Sequence, residues 1–315
     1  MPKVLITDYG FPNVEPEMEV FAHAGIELVT AQCKTEDEVI AAATGCDALL
    51  VQWAPVRERV AAALTDCKLV VRYGIGVDNL DIPALKAHGK AVAYVPDYCI
   101  DEVADHALAL SLSLARQLPQ THSRTISGTW KITPPAVMPA FRKMIFATMG
   151  YGRIARSILD RARPFGFSLA AYDPFVNPET MRKEGVTPLD LDALFSQSDI
   201  LSLHAPLTAE TKHVVNAERL RTMKPTAIVI NTARGPLIDT KALAQALADG
   251  VIAGAGIDVF ETEPLEDDHP LRSAPNTILT SHTAWYSEES VPELQRSGAL
   301  EVVRGLTGQP LRNPL

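Results

Sequence analysis

The chain has 315 residues, 47% of them hydrophobic and 21% charged, which is an ordinary globular composition at a length that predicts about two domains. A net charge of −9 without any lysine or arginine block argues against nucleic-acid binding, and no apolar run approaches the roughly 18 residues of a membrane span. Met1-Pro2-Lys3 leads straight into an apolar run, and the four cysteines lack CxxC spacing, so we expect no signal peptide, no metal site and a cytoplasmic protein with free thiols.

The first 98 residues alternate short apolar runs with helical patterns, which predicts a doubly wound parallel sheet. The predicted strands are Val4–Thr7, Glu27–Thr30, Ala48–Val51, Leu69–Arg72 and Ala91–Val95. The predicted helices lie near Glu15–His23, Thr35–Ala43, Arg57–Ala63 and Ile82–His88. Ligands bind at the carboxyl ends of strands in such sheets, and the residues at those ends are Asp8, Gln52 to Pro55, Tyr73 to Asp78 and Pro96 to Tyr98.

A second alternating series follows a long predicted helix, Asp101–Gln117. The segment from Leu118 to Phe141 is expected to be irregular, because Pro119, Gly128 and Pro134-Pro135 interrupt it. The strands of the second series are predicted at Met144–Met149, Ser168–Tyr172, Ile200–Leu203, Ala227–Asn231, Ala253–Asp258 and Thr277–Thr280, and a last helix at Ser287–Leu306. The chain is therefore expected to form two α/β domains.

The turn around Gly150 and Gly152 carries the first functional signal. Both glycines allow backbone N–H groups to approach a phosphate, and the helix that follows directs its positive end towards the same place. Ala155 takes the third position of the G-x-G-x-x-G/A pattern, and Asp173 ends the next strand, where a carboxylate can bind an adenosine ribose. This combination predicts dinucleotide binding.

Three strand ends in the second half each present one residue suited to chemistry. Arg234 follows a buried run and can offer its planar guanidinium to a carboxylate, although for this residue taken alone a surface cation at a strand end is the more ordinary explanation. Glu263 follows the next strand and alone would be a solvated loop acid. His282 follows the last strand. Together, an arginine, an acid and a histidine at successive strand ends suggest a catalytic group.

Ordered motifs along nearly the whole chain resemble the D-isomer-specific 2-hydroxyacid dehydrogenase family, and Trp285 points to its branch with the C-terminal-binding-protein corepressors. The matching segments are Arg72-Tyr73-Gly74-Ile75-Gly76-Val77-Asp78, Val103-Ala104-Asp105-His106, Gly150-x-Gly152-Arg153-Ile154, Tyr172-Asp173-Pro174, His204-Ala205-Pro206-Leu207-Thr208, Asn231-Thr232-Ala233-Arg234-Gly235, Asp258-Val259-Phe260 and His282 with Trp285-Tyr286-Ser287. The sequence departs from the family at the strand before the turn, which carries Thr148 and Met149.

The resemblance implies a catalytic role for each of the three strand-end residues. His282 would be the general acid in ketoacid reduction and the base in the reverse reaction, and Glu263 would stabilise its protonated form. Arg234 would hold the substrate carboxylate and the reacting carbonyl oxygen. The substrate would also meet the backbone of Ile75 and Gly76 and a side-chain pocket shaped by Gln52, Trp53, Ala54, Tyr73 and Trp285.

The resemblance also implies NAD as the cofactor. Asp173 would accept the ribose hydroxyls and repel a 2′-phosphate, and Asp258 would anchor the nicotinamide carboxamide. The remaining cofactor residues would be Gly150, Gly152, Arg153, Ile154, Val103, His204, Thr208, Thr232, Ala233 and Ala284.

The implied fold is a flavodoxin-like substrate domain, residues 1–100 plus 285–315, into which a Rossmann dinucleotide-binding domain, residues 101–284, is inserted. The active site would lie between the two domains, and a homodimer would form through the NAD domain. An NAD(H)-sensing corepressor-like module remains an alternative to an enzyme. Among enzymes, a D-3-phosphoglycerate or hydroxypyruvate/glyoxylate-type dehydrogenase is the alternative reading.

Overall fold

The computed structural model describes all 315 residues and divides the chain into two compact units. Unit 1 comprises Met1–Cys99 and Tyr286–Leu315, and unit 2 comprises Ile100–Trp285. The boundaries predicted from the sequence lie beside these limits. No helix combines the length and the apolar character that crossing a membrane would require.

Unit 1 is built on a five-stranded parallel sheet. Its strands are β1 (Lys3–Ile6), β2 (Glu27–Thr30), β3 (Ala48–Val51), β4 (Leu69–Arg72) and β5 (Ala91–Tyr94), in the order β2-β1-β3-β4-β5. This is the strand order of flavodoxin-like sheets. The central strands β1 and β3 are buried on both faces, which explains why they appear in the sequence as continuous apolar runs.

Five helices cover this sheet. They are α1 (Glu15–Ala24), α2 (Glu36–Ala42), α3 (Glu58–Ala63), α4 (Ile82–Ala87) and the C-terminal α12 (Ser290–Leu306). Local sequence explains several of their starts. Thr35 and Glu38 form a reciprocal capping box at α2, and the Asp81 side chain accepts a hydrogen bond from Ala84 N at α4. Helix α12 returns to pack against α1 and the strands β3 and β4.

Unit 2 contains a seven-stranded parallel sheet. Its strands are β6 (Ile145–Met149), β7 (Ser168–Tyr172), β8 (Thr187–Pro188), β9 (Ile200–Leu203), β10 (Ile228–Asn231), β11 (Gly254–Ile257) and β12 (Thr277–Leu279), in the order β12-β11-β10-β9-β6-β7-β8. The order reverses between β6 and β9, which makes the carboxyl ends of those strands the ligand-binding crevice of a Rossmann sheet. The predicted fold class, two doubly wound parallel-sheet units, is confirmed.

Unit 2 contains seven helices. They are α5 (Ile100–Ala115), α6 (Leu118–Ile126), α7 (Arg153–Ala162), α8 (Pro178–Lys183), α9 (Leu191–Gln197), α10 (Ala217–Thr222) and α11 (Thr240–Ala248). Of these, α6 packs against α5 rather than on the sheet. Asparagine or aspartate side chains cap four of them, at Asn177, Asp190, Asn216 and Asp239. Two separate apolar clusters fill the two faces of the sheet.

The sequence reasoning was wrong about the start of the segment from Leu118 to Phe141. Instead of irregular chain, residues Leu118–Ile126 form α6, which Gln117 separates from α5 by adopting a left-handed conformation with φ = 50°. Pro119 lies in the first turn of this helix, where a missing N–H breaks no intrahelical hydrogen bond. Residues 127 to 140 do lack helix and strand, as expected.

Candidate active site

The turn after β6 requires glycine at position 150. Gly150 has φ = 100°, a conformation that side chains disfavour, and its N–H donates to Tyr172 O at 2.7 Å. A Cβ atom at this position would lie 2.8 Å from the carbonyl oxygen of His204. Glycine therefore lets the turn pass directly over the end of β9, at the point where the strand order reverses.

Gly152 leaves open space at the turn, whereas Gly150 avoids a steric clash. Gly152 is the N-cap of α7, no side chain caps this helix, and a Cβ atom at 152 would meet no atom within 4 Å. The first turn of α7 has no side-chain cap, so its leading N–H groups and the positive end of the helix dipole lie beside this open space. That arrangement fits a pyrophosphate.

Asp173 stabilises this turn as well as marking the end of β7. Its carboxylate oxygens accept hydrogen bonds from Tyr151 N at 2.8 Å and from Phe175 N at 2.9 Å. Because a carboxylate has about four acceptor positions, capacity remains for two ribose hydroxyls. The unusual Thr148 is fully buried and its hydroxyl donates to Gly150 O at 2.9 Å, so this departure from the family pattern adds a bond to the turn.

Other predicted cofactor residues gather at the neighbouring strand ends of unit 2. The hydroxyl of Thr232, just after β10, is buried and has no hydrogen-bond partner in the protein, as expected of an atom that awaits a ligand. Burial lowers the pKa of His204 to about 4, so its imidazole is neutral at physiological pH. Thr208 lies in the exposed loop after β9, and Val103 and Ala284 are buried. The residue types of this set suit a dinucleotide, with backbone N–H groups for phosphates and a carboxylate and hydroxyls for sugar and amide groups.

The structure pairs His282 with Glu263 in unit 2. Nδ1 of His282 lies 2.8 Å from Oε2 of Glu263, although 19 residues separate them in sequence, and the other carboxylate oxygen accepts from Phe260 N at 2.9 Å. Partial burial alone would raise the pKa of Glu263, but the hydrogen bond and charge of His282, the Phe260 N–H and Arg234 together lower it. Glu263 is thus an anion that leaves Nε2 of His282 for a substrate.

The His282 backbone adopts a strained left-handed conformation, and Asp258 holds it there. His282 has φ = 56° and donates its N–H to Asp258 O at 2.8 Å. The fully buried Asp258 carboxylate accepts from Thr283 N at 2.9 Å, from Ala284 N at 3.0 Å and from the Thr280 hydroxyl at 2.5 Å. It thereby fixes the loop that presents His282.

A second loop presents Arg234. Asn231, the last residue of β10, accepts a hydrogen bond from Ala233 N at 3.1 Å and donates one to Arg234 O at 2.9 Å, which closes the turn. One guanidinium nitrogen of Arg234 donates to Ala233 O at 2.7 Å. Arg234 and Glu263 are close enough that the arginine contributes to the lowered pKa of the acid.

Three residues predicted to shape the substrate pocket, Gln52, Ala54 and Tyr73, are buried in unit 1, which corrects that prediction. The Tyr73 side chain is 1% exposed and its hydroxyl donates to Glu17, so it has no surface to offer a substrate. Packing under the loop, rather than contact with a ligand, accounts for an aromatic residue there. Ile75 and Gly76 are half-buried and Trp53 is 53% exposed. Trp285 in unit 2 donates its indole N–H to His282 O at 2.8 Å.

Sequence reasoning missed residues that support the reactive ones. Thr280 connects Asp258 to His106, whose Nε2 lies 3.1 Å from the threonine hydroxyl. In unit 1 the buried Asp8 accepts from the N–H groups of residues 52 to 54. The role of Asn231 could have been predicted, because an asparagine side chain often accepts a hydrogen bond from the backbone N–H two residues later and so closes a turn. No sequence pattern around Thr280 indicates its role.

Comparison with known proteins agrees with this geometry. Residues 108–284 match the family model described as "D-isomer specific 2-hydroxyacid dehydrogenase, NAD binding domain". The chain is 37% identical to a glyoxylate reductase of Korarchaeum cryptofilum over 78% of its own length and 75% of that protein. It is 34% identical to a D-3-phosphoglycerate dehydrogenase of Synechocystis sp. over 99% of its length.

A solved structure gives the same result for the fold. D-lactate dehydrogenase from Aquifex aeolicus, complexed with NAD and lactic acid, superposes with a TM-score of 0.88 at 26% identity, covering 99% of this chain and 98% of that one. The chain spans only 56% of the length of the Synechocystis enzyme, somewhat over half. The unit that carries Gly150, Asp173, Glu263 and His282 is an NAD-binding domain, and the chain belongs to the D-isomer-specific 2-hydroxyacid dehydrogenase family.

Proposed function

We propose that the protein is an NAD-dependent oxidoreductase that interconverts a small 2-oxo acid and its D-2-hydroxy acid. The observation that carries the proposal is the 2.8 Å contact between His282 and the anionic Glu263, in the same unit as the NAD-binding turn. A paired imidazole next to a nicotinamide site is the arrangement that a coupled hydride and proton transfer needs. Relatives named for glyoxylate, D-3-phosphoglycerate and glycerate support the same substrate class.

In the direction of reduction, bound NADH supplies the hydride that C2 of the 2-oxo acid receives. Nε2 of His282 donates a proton to the carbonyl oxygen, which becomes the hydroxyl, and the imidazole is left neutral. Glu263, which stays ionised, stabilises the imidazolium before transfer and orients its ring through Nδ1. In the reverse direction neutral His282 removes the hydroxyl proton.

Arg234 is proposed to bind the substrate carboxylate and to stabilise the negative charge that develops on the carbonyl oxygen. Asn231 closes its loop and the guanidinium itself donates to Ala233 O, so the guanidinium is held before substrate arrives. Trp285, in the same unit, is proposed to contact an apolar or aromatic substituent of the substrate.

For the cofactor, we propose that the backbone after Gly152 binds the pyrophosphate and that Asp173 binds the ribose hydroxyls. The spare acceptor capacity of Asp173 supports NAD rather than NADP, since its charge would repel a 2′-phosphate. Thr232 supplies the hydroxyl that has no partner in the protein. Asp258 remains a proposed carboxamide ligand, although three of its acceptor positions already serve the His282 loop.

A panel of ketoacids read by NADH absorbance tests the activity and narrows the substrate. Glyoxylate, hydroxypyruvate, its 3-phosphate and phenylpyruvate separate small, phosphorylated and aromatic substituents. We expect NADH oxidation with at least one member and a D-configured product. If protein that binds NADH turns over none of these acids, the proposal is contradicted and the NAD(H)-sensing module is favoured instead. No contact in the structure supports that alternative.

We further propose a cytoplasmic homodimer that forms through unit 2. The four cysteines are all free, as in a reducing compartment. Large apolar side chains stand exposed on α6 and the segment after it, at Leu118, Ile126, Trp130, Ile132 and Val137. Exposed groups of this kind mark interaction surfaces. Sedimentation analysis should show a dimer that Trp130→Glu with Ile132→Glu converts to a monomer, and a monomeric parent protein would contradict this.

A further inference from the structure

Glu261 lies two residues before Glu263 and joins three other parts of unit 2. One carboxylate oxygen lies 2.6 Å from Nε2 of His213, and the other accepts from Thr240 N at 3.1 Å and from the Thr240 hydroxyl. The Thr240 hydroxyl in turn lies 3.1 Å from Nε2 of His269. From the sequence alone, Glu261 would be a solvated loop acid. In the structure its carboxylate binds His213 and the first residue of α11, Thr240, which in turn contacts His269.

The same residues connect to the loop of Arg234. His213 donates its backbone N–H to Pro236 O at 2.8 Å, so its side chain binds Glu261 while its backbone binds the Arg234 loop. Gly235 packs directly on the peptide between Phe260 and Glu261, and a Cβ atom at 235 would lie 1.9 Å from that peptide. Only glycine lets the two loops approach this closely.

We propose that Glu261 is a positioning residue whose carboxylate holds the Glu263 loop and the Arg234 loop in one fixed arrangement. The inference rests on the proposed function, because it assigns Glu261 an effect on the groups that would handle the proton and the carboxylate. Glu261 touches neither substrate nor cofactor in this scheme. Its effect reaches His282 through the turn that Glu263 closes with Phe260 N.

The chemistry of the contacts requires an ionised carboxylate. Partial burial alone would raise the pKa of Glu261, but the hydrogen bonds of Thr240 and the contact with His213 lower it. The carboxylate uses both oxygens, one for each neighbour. A neutral amide of the same shape would keep an acceptor for Thr240 but turn a donor towards His213 or lose the pairing charge.

Glu261→Gln and Glu261→Ala, compared with Glu266→Gln as a control, test the proposal. Glu266 is an exposed acid in the same stretch, outside these contacts. Since a displacement of about 1 Å in a catalytic group can cost about 100-fold, we expect kcat/KM to fall about 5-fold in the glutamine variant and about 50-fold in the alanine variant. NADH affinity and the control should stay within about twofold of the parent.

A purely stabilising role would lower the melting temperature without changing the contact between His282 and Glu263. Displacement of Glu263 should instead change the NMR chemical shifts of the His282 imidazole at a fixed pH, because the hydrogen bond at its Nδ1 is altered. This measurement needs no turnover of a panel acid, which separates the inference from the proposed function. Unchanged His282 chemical shifts in the alanine variant, or a kcat/KM within twofold of the parent, overturns the inference.

Discussion

In unit 1, the two buried carboxylates Asp8 and Glu17 bind to the unit's own structure. Asp8 accepts hydrogen bonds from three backbone N–H groups of residues 52 to 54, and the Glu17 carboxylate is held by Tyr73 and Gln295. In unit 2, groups near the strand ends keep unused capacity. The Thr232 hydroxyl has no partner, the space beyond Gly152 is open, and the His282 side chain is 39% exposed.

This difference has a physical meaning because a buried polar group without a partner costs free energy, about 1–3 kcal/mol. Asp8 and Glu17 of unit 1 avoid that cost through partners inside the unit, whereas Thr232 of unit 2 retains a hydroxyl that a ligand would satisfy. Under the proposed function, unit 2 would hold the reactive and cofactor-binding side chains, while Asp8 and Glu17 maintain the structure of unit 1.

Replacement of His282 gives the strongest test that the chemistry resides in unit 2. For His282→Ala we expect kcat to fall at least about 100-fold, since proton transfer by a positioned side chain contributes that much or more. NADH oxidation with the best panel acid measures it. His23→Ala, an exposed histidine of α1, is the control and should keep full activity. Activity retained in the His282 variant would place the proton donor elsewhere.

The two glycines of the nucleotide turn should respond differently to the same added methyl group. Gly152→Ala places the methyl in open space at an ordinary φ of −77°, so folding should be unaffected. The methyl instead occupies the region proposed for the pyrophosphate, and we expect the Kd of NADH to rise about tenfold, or about 1.4 kcal/mol. Fluorescence titration measures this effect.

Gly150→Ala should lower the stability of the folded protein. Its φ of 100° strains any side chain by about 1–3 kcal/mol, and the methyl would lie 2.8 Å from His204 O. We expect a lower melting temperature of the ligand-free protein, in contrast to the Gly152 variant. Equal melting temperatures of the two variants would show that the turn can relax and that Gly150 is not under the constraint described.

Eleven of the twelve strands were predicted to within about one residue at each end, because most of them are buried on both faces of a parallel sheet and form continuous apolar runs. The edge strand β8 was missed, since its two residues, Thr187 and Pro188, form no apolar run. Helix α6 was not predicted, because a proline such as Pro119 can either end a helix or lie in its first turn, and the sequence does not distinguish the two. Distinguishing the two requires knowing where α5 ends, and that depends on the left-handed turn at Gln117.

The predicted site shows a similar limit. Strand order brings the ends of β10, β11 and β12 together, so the proximity of Arg234, Glu263 and His282 follows from the topology. The direction of a side chain on a loop does not follow from topology. Tyr73 pointed inward, and Glu261 proved to be bonded on both oxygens, because packing among segments distant in sequence decides such orientations.

A pH experiment on Glu17 examines the unit 1 side of the comparison, with a smaller expected effect. Burial raises the pKa of Glu17 above its ordinary value of 4.5, despite the hydrogen bonds from Tyr73 and Gln295. The folded state therefore binds this proton more tightly than the unfolded state. Stability falls as pH rises from about 4.5 to the raised folded-state pKa, and the loss is complete above it.

Glu17→Gln removes the titrating group, so the fall in stability between pH 5 and pH 8 should be smaller than in the parent protein. Urea midpoints at the two pH values measure the difference, with the exposed Glu19→Gln on the same helix as control. NADH affinity should be unchanged, because this carboxylate serves only unit 1. A parallel pH dependence in parent and variant would mean that Glu17 is not held as described, and a weakened NADH affinity would mean that the acids of unit 1 also support the cofactor site.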